Sequence, residues 1–279
     1  MRKVAVIGIA GESVFLSVDE FGKIGQTSVA KNIHRELGGK GFNQAVAVAK
    51  FGVKCAFLGA VNKGDVENYS KIAKDYGVNA TFVSKEDKSP YAVIITDKNG
   101  ENKVFVYQGA SLSVDDVDLF KEEIESADLL LITNETPKEV NERAVDIAKA
   151  KGVKVVLNPA PYRLHNKKYL EKIDLFTPNE HETKGLEGFS NVITTLGEKG
   201  CLFNSTGEII PAEKVQKVVD TTGAGDTFNG VLSACMASGM DLKRAVETAN
   251  VASSIKVTKM HVLDAIPTKE EIEKHVNNK

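Results

Sequence analysis

Apolar residues follow two rhythms along this chain. Residues 3–9 and 54–61 are short, nearly unbroken apolar runs, the signature of strands buried on both faces. Residues 13–18 alternate apolar and polar side chains, the period of a strand with one wet face, and residues 22–37 read as polar, extended chain. The stretch Leu37-Gly38-Gly39-Lys40-Gly41-Phe42-Asn43-Gln44-Ala45 opens a helical pattern that continues through Val46, Val48, Ala49 and Phe51, and a second helix is expected up to Tyr76. Residues 91–96 and 103–107 are alternating runs around Asn99-Gly100, a dipeptide that favours a type I′ hairpin turn. A hairpin inserted among β/α units is expected to leave the main sheet.

From Asp115 onward strands and helices alternate, which marks a parallel sheet. Strands are predicted to end near Thr133, Leu157, Thr177, Thr195 and Val219, and the last helices to cover residues 241–257 and 268–276. Just beyond the strand ends stand Asn134-Glu135, Asn158-Pro159, Asn179 to Glu182, Thr195 to Gly200, and Asp220 onward. Ligands of open α/β sheets bind outside the carboxyl ends of the strands, so these five loops should converge on one crevice.

The fifth loop carries the most chemistry. Val215, Val218 and Val219 form a β-branched run that ends in Asp220-Thr221-Thr222-Gly223-Ala224-Gly225-Asp226, and Phe228, Val231, Leu232, Ala234 and Cys235 then repeat at helical spacing. A strand, a Gly-Ala-Gly turn and a helix would leave the first helical N–H groups unhindered, as a site for a phosphate or a developing anion. Asp226 would lie within reach of it. An anion hole beside a carboxylate suits phosphoryl transfer, where one stabilises charge and the other orients and deprotonates a hydroxyl. Taken singly, each feature has a plainer reading. Gly-x-Gly is a common tight connection, Asp a common N-cap, and Glu135 and Glu182 are carboxylates that a helix start favours. The dinucleotide fingerprint fails at Phe228, the Lys40 loop lacks the Ser or Thr of a phosphate-binding P-loop, and His181-Glu182 lacks a second His at residue 185.

Composition narrows the class. The 279 residues suffice for one large α/β domain, taken as 1–279. A net charge of -2 with interspersed signs argues against a nucleic-acid partner. Cys55, Cys201 and Cys235 are far apart and apolar in setting, which suggests neither zinc nor disulfides and fits reduced thiols in the cytoplasm. No run is long enough to span a membrane, and the short apolar run after Arg2-Lys3 meets Glu12, as a buried first strand would rather than a signal peptide.

Residues 220–230, Asp-Thr-Thr-Gly-Ala-Gly-Asp-Thr-Phe-Asn-Gly, resemble the C-terminal signature of the ribokinase-like (phosphofructokinase-B) carbohydrate kinases, and residues 38–45, Gly-Gly-Lys-Gly-x-Asn-Gln-Ala, resemble their N-terminal motif. The resemblance implies a doubly wound α/β sandwich with a small β-lid, here about residues 13–36 and 89–107. It implies an ATP- and Mg²⁺-dependent kinase of a primary alcohol on a sugar or sugar-like molecule, dimeric through the lid. Asp226 would be the base, and the amides of Gly223, Ala224 and Gly225 would hold the transferring phosphoryl group. Gly39, Lys40, Asn43 and Glu135 would contact the acceptor. Asn179 and Glu182 would place Mg²⁺ and phosphates, Thr195 and Gly197 would contact the nucleotide, and Asn250 would lie beside the adenine. Asp220 would belong to a potassium site.

Four departures from the family pattern stand out. The Asn and Asp that grip ribose hydroxyls are replaced by Gly11 and Ser13, and a Gly-Asp-Asp by Asn62-Lys63-Gly64. The tail that completes the potassium site reads Lys259 to Ala265, and the stretch between Leu186 and Asn191 is too short for the usual helix and strand. A nucleoside or sugar-phosphate kinase of the same fold, or a non-catalytic sugar-binding protein, are the alternatives.

Overall fold

The computed structural model describes residues 2–99 and 101–277. In chain order it contains β1 (Lys3–Ile7), β2 (Gly11–Ser17), β3 (Asn32–Gly38), α1 (Lys40–Lys50), β4 (Lys54–Asn62), α2 (Val66–Asp75), β5 (Val78–Lys85), β6 (Tyr91–Thr96) and β7 (Asn102–Tyr107). There follow α3 (Val114–Asp118), α4 (Lys121–Glu125), β8 (Leu129–Thr133), α5 (Lys138–Ala150), β9 (Lys154–Asn158), α6 (Lys167–Leu170) and β10 (Leu175–Phe176). The chain closes with β11 (Ile193–Thr195), β12 (Cys201–Phe203), β13 (Glu208–Ile210), α7 (Ala224–Ala237), α8 (Leu242–Lys256) and α9 (Lys269–Asn277).

The main sheet is six-stranded and parallel, in the order β10-β9-β8-β1-β4-β5. β1 lies between β4 and β8, and Val4 to Ile7 are fully buried, which is why its sequence lacks alternation. The pleat divides its side chains between two cores. Val4 and Val6 join α1, α7 and α8 on one face, while Ala5 and Ile7 join α3, α5 and α6 on the other. Helices on both faces make the fold doubly wound. β1 stops at Ile7 because Gly8 meets the start of α1 backbone to backbone: a Cβ there would lie 2.6 Å from Gly41 Cα.

A second sheet of four strands, β3-β2-β6-β7, stands apart from the main one. β2 pairs antiparallel with β3 and parallel with β6, and β6 pairs antiparallel with β7. The predicted hairpin forms, with Thr96 opposite Asn102 and the Asp97 N–H donating to the Glu101 carbonyl. The type I′ turn expected at Asn99-Gly100 rests on Gly100, outside the described residues. Of the extended chain expected over 22–37, only β3 is a strand.

Two expectations fail in the C-terminal half. Regular β/α alternation ends at β10. Residues 177–192 contain neither helix nor strand, in keeping with the short stretch seen there in the sequence, and β11-β12-β13 form an antiparallel meander. Parallel bridges Phe176↔Val192 and Asn179↔Thr195 attach the meander beside β10. No strand precedes the Gly-Ala-Gly turn either. Val218 and Val219 are 54% and 40% exposed, and the Val219 and Asp220 N–H groups both donate to the Val257 carbonyl just past α8. β-branched residues favour strands through packing on a pleated surface, and Val218 and Val219 are left largely exposed instead.

Candidate active site

The start of α7 is shaped by Gly223, which caps the helix at φ 76, a left-handed conformation that glycine adopts without strain. A Cβ there would also lie 2.5 Å from Val262 Cγ1. The Ala224 N–H folds back onto the Thr221 carbonyl at 3.2 Å. This corrects one expectation, since Ala224 spends its amide on the turn. The N–H groups of Gly223, Gly225 and Asp226 have no partner among the described residues. A Cβ at Gly225 would touch nothing within 4 Å, so the turn is open on that side. Free N–H groups at the positive end of a 14-residue helix form an anion site.

Asp226 is 6% exposed, one residue beyond Gly225. Asn43 Nδ2 donates to its Oδ2 at 2.9 Å and Gln44 Nε2 to its Oδ1 at 3.2 Å. Gln44 Nε2 also donates to Asn158 Oδ1 at 3.1 Å, and Asn158 Nδ2 to the Thr177 carbonyl at 3.0 Å. The first turn of α1, the first turn of α7 and the ends of β9 and β10 are thus linked by one chain of amides. Asn43 Oδ1 and Gln44 Oε1 are buried without partners, acceptors left over for a ligand donor.

Lys40 opens α1 beside this carboxylate. Asp226 foremost, then Glu135 and Glu182, hold its pKa above the usual lysine value against the effect of burial. The three carboxylates come from three separate segments, after β8, after β10 and at the start of α7. Burial pushes Glu135 up to about 7, with Asp226 adding to the rise and Lys40 opposing it. The Gly41 N–H donates to Glu135 Oε2 at 3.4 Å. A cavity of about 100 Å³ lies beside Glu135, lined also by Gly8, Ile9, Gln108, Ser111 and Arg163. Gly39, at φ 99, admits α1 to this place, because a Cβ on it would strike the Ile9 carbonyl at 2.4 Å.

On the nucleotide side, the Asn179 N–H donates to Glu182 Oε2 at 3.0 Å and the His181 N–H to Asn179 Oδ1 at 2.8 Å. The loop is self-braced, and Glu182 keeps its other oxygen free among the described residues. Thr195 bridges to Asn179, and its hydroxyl donates to the Pro178 carbonyl at 3.4 Å. Gly197 is exposed at the start of a short 3₁₀ turn, Gly197–Lys199. Asn250 is buried with its amide committed: Nδ2 donates to the Ile210 and Pro211 carbonyls and Oδ1 accepts from Cys201 Sγ. It braces the meander.

Asp220 also differs from expectation. Its carboxylate accepts the Thr222 N–H on Oδ1 and the His261 N–H on Oδ2, both at 2.9 Å, and Lys256 Nζ donates to its main-chain carbonyl at 2.8 Å. The Lys256 ammonium already stands 2.8 Å from the carbonyl and 3.9 Å from Oδ2, so a potassium ion on this set would meet a like charge and does not fit. Among the described residues no group of three or more His, Cys, Asp or Glu side chains could hold a metal. Glu182 alone fits Mg²⁺, which keeps waters and phosphate oxygens as its other ligands.

Gly11 and Ser13 stand where the sequence comparison puts them, at the base of β2. A Cβ on Gly11 would fall 2.1 Å from the Pro90 carbonyl, and Ser13 is buried against Gly38. Residue 11 therefore has no room for a side chain. Asn62 does not form a sugar wall. Its Nδ2 donates to the Glu86 and Asp87 carbonyls and its Oδ1 accepts from Gly64, which fixes the loop feeding β6. Sequence reasoning did not assign Gln44 to Asp226, and it missed Lys256 and Glu36 altogether. The available signal for Lys256 was a lysine closing the Val-Ala-Ser-Ser-Ile run of the last turns of α8.

The comparisons with known proteins place the chain in a family. The pattern of the pfkB family carbohydrate kinases matches residues 1–269. The chain is 34% identical to a ribokinase from Haemophilus influenzae over 299 aligned residues that span 97% of each protein. The crystal structure of ribokinase from Thermotoga maritima superposes with a TM-score of 0.87 at 31% identity, over 100% of both chains. That of Arabidopsis thaliana ribokinase complexed with ribose and ATP gives 0.82 at 25% identity, over 98% of this chain and 97% of that one. The likeness runs through the whole length rather than through one motif, and the chain belongs to the pfkB family of carbohydrate kinases.

Proposed function

We propose that this chain transfers the γ-phosphoryl group of ATP to a primary hydroxyl of a sugar or sugar-like acceptor, with Asp226 as the base. The observation that carries the reading is the buried Asp226 carboxylate, held from both sides by Asn43 and Gln44 and set beside the unpartnered amides of Gly223 and Gly225. The amides and the helix end receive the charge that develops on the transferring group. Asp226 orients the acceptor hydroxyl and takes its proton late, as suits a loose transition state. Lys40, Asn43, Gly39 and Glu135 position the acceptor, and the unpartnered Asn43 Oδ1 is a ready acceptor for one of its hydroxyls. Asn179, Thr195 and Gly197 line the nucleotide side. Magnesium, when bound with ATP, neutralises phosphate charge, and Glu182 would hold it through water. The three buried free thiols support a cytoplasmic setting, and the four-stranded sheet would serve as the lid.

D-Ribose should be a poor acceptor. Gly11 and Ser13 offer no carboxylate or amide to ribose hydroxyls, and the Pro90 carbonyl leaves no room for one at residue 11. A site built around a hydroxyl commonly discriminates by ~10⁴ or more. ATP consumption across a panel of pentoses, deoxypentoses, hexoses, sugar phosphates and nucleosides tests the reading. Turnover with some member, and little with ribose, is expected. Ribose as the best acceptor would overturn the substrate argument, and no turnover with any would overturn the kinase reading.

A further inference from the structure

Lys256 closes α8, and its side chain is fully buried, 0% exposed. Beyond the 2.8 Å hydrogen bond to the Asp220 carbonyl, its ammonium stands 3.9 Å from Asp220 Oδ2. The next residue, Val257, supplies the carbonyl that takes the N–H groups of Val219 and Asp220 at 2.7 and 3.2 Å. The end of α8 therefore holds both sides of the residue that opens the Asp220–Gly223 turn. Glu36 reaches in from β3 and accepts the Val262 and Leu263 N–H groups at 2.9 and 3.1 Å, while His261, at φ 63, stacks on His34 at 3.6 Å between ring centres. Burial lowers the lysine's pKa, and Asp220, Glu36 and Asp226 oppose that shift.

Burying an ammonium is costly, and one hydrogen bond to a carbonyl with a 3.9 Å ion pair is a modest return. An apolar side chain would suit this helix, whose neighbours Ala249, Val251 and Ala252 are all buried. What an ammonium adds is positive charge behind the turn that carries the free amides. A bound monovalent cation would add the same thing from the same side, but the Lys256 ammonium already stands on the Asp220 oxygens it would use.

We propose that Lys256 is a tethered cation that takes the place of a monovalent ion at Asp220, so that phosphoryl transfer by this chain needs no potassium. Lys256 is a positioning residue: it acts through the Asp220–Gly223 turn and does not touch the acceptor. The proposal rests on the kinase reading. Its test compares the full-length protein in potassium and in tetramethylammonium at equal ionic strength, by calorimetric ATP affinity, melting temperature and turnover with the best acceptor of the panel. Wild type should be the same in both, within about twofold. Lys256→Ala should lose about 10- to 100-fold in turnover, the loss that goes with one hydrogen bond to a charged group, and potassium or ammonium should restore much of it. Lys256→Met fills the same space without charge, and should show the loss without the rescue. Three results would overturn the proposal: wild-type turnover or ATP affinity rising tenfold or more in potassium, a folded Lys256→Met that turns over normally, or a folded Lys256→Ala that no small cation restores. Should neither variant fold, the wild-type comparison decides alone. Absence of ATP binding in every salt would instead refute the kinase reading, and so separates the two failures.

Discussion

Asp226 accepts one hydrogen bond on each carboxylate oxygen, so Asp226→Asn changes both its chemistry and its bracing. The new amide would meet the Asn43 and Gln44 donors. Rotating the Asn43 amide brings its unpartnered Oδ1 to the new N–H₂ group and relieves one side. The variant should therefore fold, keep ATP affinity through the Gly223 and Gly225 amides, and lose ~10²–10⁴ in turnover, the range for general acid–base help. A near-normal rate at matched folding would reduce Asp226 to a helix-start residue. Glu135 makes a separate prediction about pH. Its carboxyl sits at about 7 in the folded protein, above the ordinary 4.5. Below pH 4.5 both folded and unfolded chains hold the proton, so its contribution to stability is fully present. Between 4.5 and 7 the unfolded chain releases the proton first, and stability falls as pH rises until both states are ionised. Glu135→Gln removes that loss. The gain over wild type should grow from pH 4.5 to 7 and level off at roughly 1–3 kcal/mol, since each pKa unit is worth ~1.4 kcal/mol and the half-buried site is partly screened. Urea melts at a series of pH values measure it, and a gain that shrinks as pH rises would contradict the assignment. Both residues stand in loops that the sequence marks. Lys256 does not, because its meaning lies in a contact with Asp220, 36 positions away.

At the level of elements, the buried strands, α1 and α7 were legible because their apolar periods are set by the core they face. The missing strand before Gly223 was not, because three valines specify a strand only where a neighbouring edge exists to pair with. The meander after β10 was hidden for a similar reason: three-residue strands are too short for a period to show. The contact between α1 and α7 was hidden too, although the site depends on it. Gly230 lets the two helices touch, since a Cβ there would lie 2.4 Å from the Gln44 carbonyl and 2.5 Å from Ala47 Cβ. Gly230→Ala must push α1 away from α7, and α1 carries Asn43 and Gln44. Overpacking of this kind costs about 1–3 kcal/mol. Displacing the brackets of Asp226 should lower kcat by roughly tenfold or more, since small misplacements of reacting groups are expensive. ATP affinity should change less, because the free amides belong to α7 itself. Thermal melts with steady-state kinetics check this; a lower Tm with kcat unchanged would show that the helix contact serves stability alone.

The whole molecule leaves one surface unfinished. In the four-stranded sheet the register places Ile33, Leu16 and Ile95 in one row, and Val14, Val93 and Phe105 in the next, on the same face. The opposite face carries Phe15, whose ring meets His261 beside the site. Phe105 is 61% exposed, and Ile33 and Tyr107 are also bare. An exposed apolar stripe of this kind marks an interaction surface, and the unpaired outer edge of β7 makes it a liability in a lone chain. The same face continues at its base, past Glu12, Tyr91 and Tyr107, into a groove of about 1080 Å³ that also reaches Asn68 and Ile72 of α2. A second copy of the sheet would cover the stripe, and the groove gives its edge somewhere to go. The chain should therefore sediment as a dimer at micromolar concentration. Phe105→Glu places a charge at the β7 end of the stripe without touching the core, so it should yield a folded monomer with an unchanged far-ultraviolet circular dichroism spectrum. The monomer should bind ATP normally, because the amides of Gly223 and Gly225 lie on another sheet's helix. Its KM for the acceptor should rise, because Phe15 and the base of β2, which flank the acceptor side, would lose the rigidity that the partner's sheet lends them. A wild-type monomer at tens of micromolar, or a dimer that survives Phe105→Glu, would remove the sheet from the interface.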